Sequence, residues 1–597
     1  MVGSAIRKAE PYQGKVTAHL IVTCVIASIG GFIFGYVGIP GGLTLNEGIA
    51  DLYEELVYSN EHYLDQYCRD GAGTDAGYLP PLYIPGIIAS LIASPVTRKY
   101  GRRRSIIISG FCFGIGAALI AIVPQTIQYG PDKLGILVGR VIAGLGIGFG
   151  TQAIPLYLSE IAPAQFRGGF SFMFQLAIAL GILIANIVNY VARVPEERRW
   201  TDYKGISISF GMVAFLAFLM TVGVKFLPET PNSLIQRGSK DKGRQVLEKL
   251  RGTENVEAEF QDVVAAGQSA STVKRPFISI FWKRNRPQLV MAILMPMFQA
   301  LTGMNSLLYY ASILLRNMGF GEKASFYSSV MIGTALVSST LLSMGTVDRL
   351  GRRALLISGG ILMIICQVII AVILKGKLGD HQHLSKSLSI LVMVLICISA
   401  LAFGWSWGPL GWTIPSEIFP LEVRSAGQSI TVAVNLLFTL LVADSFLPLL
   451  CPLRFGLFLF YAGCITASTV FVYLFLPETN GVPIEEMACL WRKHWFWKKI
   501  LPPPNSSASS PTAVPPTVIS TTSVAQPDAN RRRSPLQPPF PPSTIVSTSK
   551  RPDDLLLCTT GTFSAFQLAA KLPARIQIRL RLDLAFQAIS VTYSPAL

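Results

Sequence analysis

The chain has 597 residues, 51% hydrophobic and 14% charged, with a net charge of +17 and a mean hydropathy of +0.47. Soluble domains carry about 25% charged residues, so an ordinary soluble enzyme is excluded and a polytopic membrane protein is indicated. The excess of Lys and Arg does not read as a nucleic-acid surface, because the basic clusters sit beside apolar runs.

Runs of about 20 apolar residues, the length that crosses a bilayer, recur twelve times. They fall near 18–43, 78–97, 105–124, 134–158, 170–192, 205–227, 287–315, 325–347, 354–375, 388–414, 428–450 and 453–476. Ahead of the first, "MVGSAIRKAEPYQGK" lacks an apolar core before a small-residue cleavage site. No cleaved signal peptide is expected, and the first span acts as the insertion signal. That span holds "GGFIFGYVGIPGG" (30–42), glycine-rich and free of charge; such glycines suit close packing of a moving helix.

Lys and Arg cluster at 97–105, through 237–286, at 348–353 and at 491–499. With twelve spans these all fall on one side, which the positive-inside rule makes cytosolic, with both termini inside. The chain then divides into a cytosolic N-terminus (1–17) and a six-helix half (18–227) with an outer cap loop at about 44–77. A cytosolic linker (228–285) follows, where "SKDKGRQVLEKLRG" reads as an amphipathic helix. A second six-helix half (286–476), a cytosolic motif segment (477–500) and a tail (501–597) complete it. The tail contains "PPPNSSASSPTAVPPTVISTTS" and "RRRSPLQPPFPPS", a composition that cannot bury a core and is expected to be disordered.

The two halves repeat at an offset of about 250 residues. "RKYGRRRSIIISG" (98–110) parallels "DRLGRRALLISGG" (348–360), and "PLYLSEIAPAQFRGG" (155–169) parallels "TIPSEIFPLEVRSAG" (413–427). "FLPETPNS" (226–233) parallels "FLPETNGV" (475–482). Internal duplication is a construction of secondary transporters, with substrate held between the halves. The charges in these repeats lie at helix ends on the basic side, where opposite charges latch neighbouring helices. The expected gating members are Arg102, Arg103, Glu160 and Arg167 in the first half, and Asp348, Arg352, Arg353, Glu417 and Arg424 in the second. Arg104 and Lys99 read instead as topology signals.

Nine cysteines show no metal-ligand spacing, and most lie in apolar runs as small core residues. Cys68 and Cys451 both fall on the outer side, where a disulfide persists; spacing leaves paired and free states open. No nucleophile–base pair, phosphate loop or metal cluster stands out, so neither an enzyme nor a cofactor or metal is expected.

"GRR", "PLYLSE…RGG", "PETPNSL", "FQALTGMN…YY", "WSWGPLGWTIPSEIFPLEVR" and "PETNGVPIEEM" together resemble the sugar porter branch of the major facilitator superfamily. The likeness is to plant-type proton/hexose symporters, the sugar transport protein family, from about residue 18 to 500. It implies an all-α polytopic fold: twelve transmembrane helices in two pseudo-symmetric six-helix halves. It also implies monosaccharide transport by alternating access, coupled to protons, at the plasma membrane. Sugar hydroxyls need neutral donor–acceptor side chains and aromatic faces. Gln175, Gln299, Asn305, Trp412 and Asn435 match positions that contact hexose in the family; as residues alone, the amides read equally as interhelical hydrogen bonds. Cys68 and Cys451 match the family's cysteine pair joining the outer cap to the start of the last span.

Three departures fall on this implied site. Gln299 is followed by Ala300 where the family has a second glutamine, and the family's sugar-binding asparagine of span eight falls on Leu336. The family reads "GGFIFGYDIGISGG" in span one; here Asp-Ile has become the single residue Val37. That aspartate carries the coupled proton and pairs with an arginine of span four, retained as Arg140 in "LVGRVIAGLGIGFG". A buried arginine is costly without partners. Asp444 in "LLVADSFLPLL" is the only obvious intramembrane carboxylate available as a substitute, but it belongs to the other half and is expected nearer the outer surface, so a water-facing polar residue near the outer mouth is the favoured reading. The one-residue deletion rotates the helix beyond it by about 100°, a shift that Pro40, Gly41 and Gly42 absorb by breaking the helix. The sequence therefore predicts a hexose transporter whose proton coupling is impaired, or alternatively a transport-inactive, sugar-binding or sensor-like relative.

Overall fold

The computed structural model describes residues 16–38, 80–126, 133–193, 202–308, 322–377, 386–453, 455–482 and 487–501. The cap loop 44–77 with Cys68, the helix break expected at Pro40–Gly42 and the tail from 502 lie outside the described residues, as does the side chain of Cys451.

Twelve segments among the described residues are helices long and apolar enough to cross a membrane. The first six spans are α1 (Ala18–Gly38), α2 (Pro80–Tyr100), α3 (Arg102–Thr126), α4 (Lys133–Ile161), α5 (Arg167–Arg193) and α6 (Asp202–Phe226). A helical linker follows: α7 (Pro231–Gln236), α8 (Lys240–Arg251), α9 (Glu257–Thr272) and the short α10 (Pro276–Ser279). The second set is α11 (Arg286–Leu301), α12 (Glu322–Leu350), α13 (Arg352–Lys377), α14 (Lys386–Trp405) with α15 (Trp407–Ile418) as one interrupted span, α16 (Arg424–Leu453) and α17 (Gly456–Phe475). Two short helices, α18 (Met487–Lys493) and α19 (Trp497–Ile500), close the described chain.

Helices outrun the apolar runs at the basic end. The third span starts at Arg102, not near 105, and the eleventh at Arg424, not near 428. Arginine is a good helix former, and here its charge is buried against acids, so the helix does not stop where hydropathy falls. The turns between α2 and α3 and between α12 and α13 are made by Gly101 (φ +99°) and Gly351 (φ +88°), a left-handed conformation that disfavours any side chain. A Cβ at either would also meet a carboxylate, Glu229 or Glu478.

The glycines of span one are explained by packing. α1 lies against α5 so closely that a Cβ on Gly35 would strike the Ile178 backbone, and one on Gly181 would strike that of Phe32. Small residues permit this approach in a membrane bundle. Elsewhere polar glue is local: Tyr36 and Ser209 share a buried hydroxyl contact of 2.7 Å between α1 and α6.

The linker is fastened to the first half. Arg251 donates to the carbonyls of Ile161 (2.7 Å) and Ala162 (3.3 Å) at the end of α4, held in place by Glu259 at 2.6 Å. Arg98 of α2 donates to Ala270 and Val273 at the end of α9. These last carbonyls of a helix have no partner of their own, so a guanidinium is their natural cap.

Candidate functional site

Among the described residues, two membrane helices are broken. α11 ends at Leu301 and turns at Gly303 (φ +75°) before a further helical stretch at 304–308. α14 and α15 are separated at Ser406 (φ −129°, ψ −86°). Irregular backbone inside a bilayer is tolerated only where protein or a cavity satisfies it, and in transporters it marks the substrate level.

Gln299 bridges these breaks. Its Nε2 donates to the carbonyls of Trp407 (3.1 Å) and Gly408 (2.7 Å), and its Oε1 accepts from Asn435 Nδ2 at 2.9 Å. Gly411 leaves room for this amide, because a Cβ there would overlap it. Asn305 donates to Thr439, one turn beyond Asn435, at 3.3 Å. Trp412, next to Gly411, meets Phe174 edge-on at 5.6 Å, which brings α5 and its Gln175 to the same level. Gln175, Gln299, Trp412 and Asn435 are all 4–5% exposed, buried yet not sealed. The structure thus groups the five predicted residues on α5, α11 with its continuation, α15 and α16. Ala300 and Leu336 are fully buried, and Leu336 packs against Gly404 of α14. Both are core residues in this arrangement.

At the basic end the three repeated motifs converge twice. In the first half Arg102 pairs with Glu160 (2.8 Å), whose other oxygen accepts from Thr230 (2.6 Å), while Glu229 accepts from the Arg102 backbone N–H (2.9 Å). In the second, Arg352 pairs with Glu417 (2.9 Å) and Asp348 (3.0 Å). Thr479 donates to Glu417 (3.3 Å), and Glu478 accepts from the Arg352 and Arg353 backbone N–H groups (2.9 and 3.0 Å). Carboxylates at the first turn of α3 and α13 also suit the positive end of the helix dipole. Contacts at this end also cross between halves: Arg424 reaches Glu160 at 3.4 Å, and Asp348 accepts from Gly168 and Gly169 N–H at 3.2 and 3.0 Å.

Three of the expected latch arginines do otherwise. Arg103 donates to the carbonyls of Val224 and Lys225, and Arg353 to that of Tyr473, so both cap helix C-termini instead of pairing with acids. The reason is position: each follows the arginine that takes the acid, and the next residue of a helix points about 100° away. Arg167 makes no ion pair among the described residues.

The model of the family described as "Sugar (and other) transporter" matches residues 23–491. Sugar transport protein 7 of Arabidopsis thaliana is 57% identical over 505 residues, covering 84% of this chain and 96% of that protein. Sugar carrier protein A of Ricinus communis is 56% identical, covering 84% and 94%. The chain belongs to the sugar transporter family. Among solved structures, the proton:xylose symporter XylE bound to 6-bromo-6-deoxy-D-glucose superposes with a TM-score of 0.67 at 23% identity, covering 80% of this chain and all of that one. That likeness establishes the major facilitator fold.

In this sugar transporter Val37 is buried near the end of α1, where Tyr83 donates to the Gly38 carbonyl at 3.3 Å. Arg140 is 5% exposed and not without a partner. Burying a charge is tolerable only when something answers it. Arg140 lies twenty residues from Glu160 on α4, and Asp444 twenty from Arg424 on α16; each is therefore about 30 Å from the ionic end. Asp444 too is not without a partner. The contributors that sequence missed are Thr439, Gly411 and Phe174 around the amides, and Glu229, Thr230, Glu478, Thr479 and Asn480 at the ionic end. The latter five all sit in or beside the repeated "PET" stretches, which were a visible signal.

Proposed function

We propose that this sugar transporter family member carries a monosaccharide, a hexose, across the plasma membrane by alternating access between its two six-span halves. The amide layer of Gln175, Gln299, Asn305, Trp412 and Asn435 holds the sugar, and the ionic end is the cytosolic gate, with both termini on that side. The observation that carries the reading is Gln299 spanning two broken helices with an amide neighbour, neutral donors and acceptors beside an indole ring. Hydroxyls exchange well with such groups, and the relatives named above are a sugar transport protein and a sugar carrier protein.

The family mechanism is proton symport, but Val37 offers no titratable group where the family's proton carrier belongs, so we expect impaired or absent coupling, with facilitated transport as the limit. The test is uptake of labelled D-glucose, D-galactose and D-xylose into yeast lacking its own hexose carriers, with and without a protonophore. Saturable, non-concentrative uptake that the protonophore leaves unchanged is expected. Concentrative uptake abolished by the protonophore overturns the uncoupling, and Asp444→Asn then asks whether that carboxylate supplies the coupling. Restoring Asp-Ile at Val37 is expected to introduce protonophore sensitivity. A second reading, a transport-inactive sugar-binding relative, is favoured by the loss of two polar positions at Ala300 and Leu336. Sugar binding to the purified protein without counterflow in liposomes decides for it.

A further inference from the structure

Between the amide layer and the ionic end lies a level of polar groups that the helices do not satisfy. Gln428 of α16 is fully buried, and neither its Nε2 nor its Oε1 has a hydrogen-bond partner among the described residues. The hydroxyls of Ser171 on α5 and Thr413 on α15, 3% and 1% exposed, are equally unpartnered. Buried polar groups are almost always paired in folded proteins, so three at one level call for an explanation.

Their positions supply it. α16 starts at the ionic end with Arg424; Gln428 is one turn in, about 6 Å, and Asn435 about 10 Å further. Seven residues return the helix to within about 20° of the same face. Gln428 therefore stands on the face of α16 that presents Asn435 to Gln299. On α5, Ser171 is four residues before Gln175, on the same face and one turn nearer the ionic end. Thr413 follows Trp412 and precedes Glu417 by one turn. Helices α5 and α16 thus repeat their amide-layer contribution on the same face closer to the ionic end, and α15 adds Thr413 beside Trp412. At this level Gln152 of α4 also ties the halves by donating to the Ser425 carbonyl at 3.4 Å.

We propose that Gln428, with Ser171 and Thr413, forms a second hydroxyl-binding layer, which the monosaccharide engages between the amide layer and the ionic end. This rests on the reading of the amide layer as a sugar site. The groups are neutral and carry both donors and acceptors, which suits a polyol and not an ion. The inter-half contacts Arg424–Glu160 and Asp348–Gly168/Gly169 lie one turn beyond. When they part, the layer opens, and sugar hydroxyls supply the hydrogen bonds that the closed end denies. The orphan groups thus oppose closure of the gate and favour sugar at its threshold.

The test is Gln428→Met, which keeps length and volume but removes both amide ends. The full chain is reconstituted in liposomes of sorted orientation. Half-saturation is measured from each side with labelled D-glucose, D-galactose or D-xylose, whichever the parent exchanges fastest. The expected result is a rise of about tenfold in half-saturation from the ionic end, with the opposite side changed less than twofold. Equal changes on both sides, or none, overturn the proposal. If Gln428→Met does not fold, Ser171→Ala with Thr413→Val carries the same one-sided expectation at about threefold. A parent that exchanges no sugar overturns both this layer and the transport reading. A parent that exchanges sugar beside variants without a one-sided shift overturns the layer alone.

Discussion

In the first half Arg102 meets Glu160 at 2.8 Å, and in the second Arg352 meets Glu417 at 2.9 Å; in each a threonine shares the carboxylate and a second glutamate caps the following helix. The matching parts are wired differently. Glu160 also takes Arg424 from the other half, whereas Glu417 takes no arginine from the first half among the described residues. Asp348 accepts the N–H groups that begin α5, while its counterpart in the repeat, Arg98, caps linker helix α9. A duplicated sequence has thus yielded an asymmetric device. The second half grips the first, and the first grips the linker.

That asymmetry is broken most directly at the two acids. Glu160→Ala removes the buried carboxylate that Arg102 and Arg424 share and is expected to cost about 3–5 kcal/mol. Glu417→Ala costs less, because Arg352 keeps Asp348 at 3.0 Å and Asn480 at 2.6 Å. Thermal unfolding of the two variants in detergent, followed by tryptophan fluorescence, checks the order. Equal losses would mean that the cross-half arginine adds nothing.

How much of this was legible depends on the distance over which a residue acts. The twelve spans could be read because hydropathy is a local property, and the repeats because identical short motifs recur. Gln299 and Asn435 stood out as amides in apolar runs, but Thr439 did not, since a threonine in a helix looks the same whether it meets Asn305 or its own backbone. Glu229 and Glu478 were visible in "PET", yet their partners lie 127 and 126 residues away, and only the closed bundle brings them together. The orphan state of Gln428 is a property of its surroundings on neighbouring helices, which no single stretch of sequence records.

The gripping role of Asp348 comes next in size. Two backbone N–H groups bonded to one carboxylate are charge-assisted, at about 1.5–3 kcal/mol each where fully formed. Asp348→Ala is expected to speed hydrogen exchange at residues 168–171 by about tenfold or more, with the rest of α5 unchanged. Uniform acceleration along α5 would make Asp348 a general stabiliser and remove its special link to the helix start. Arg98→Gln sharpens the other side of the comparison. It frees the carbonyls of Ala270 and Val273, so exchange should rise at the end of α9 by about tenfold or less, while contacts between the halves and the melting temperature stay nearly constant. A fall in melting temperature as large as that of Glu417→Ala would show that the linker is part of the bundle's core and not a passenger on the first half.

The smallest difference between the two ends is a titratable one. Arg103 and Arg353 play the same capping role, but only Arg353 has a histidine nearby among the described residues. Partial burial, and then the Arg353 charge, hold the His494 imidazole below its ordinary value of 6.5. Geometry agrees, because His494 Nδ1 accepts the Phe496 backbone N–H at 3.3 Å and protonating it would remove that acceptor. The unfolded chain therefore binds the proton at a higher pH than the folded one. Stability attributable to this group is complete above the unfolded value and falls as pH drops from about 6.5 through the lower folded value. His494 is only partly buried, so solvent screening keeps the effect small. The difference in melting temperature between the parent and His494→Gln should shift in the variant's favour between pH 7 and pH 5 and shrink at high salt. A constant difference across that range, or one that grows with salt, would remove Arg353 as its cause.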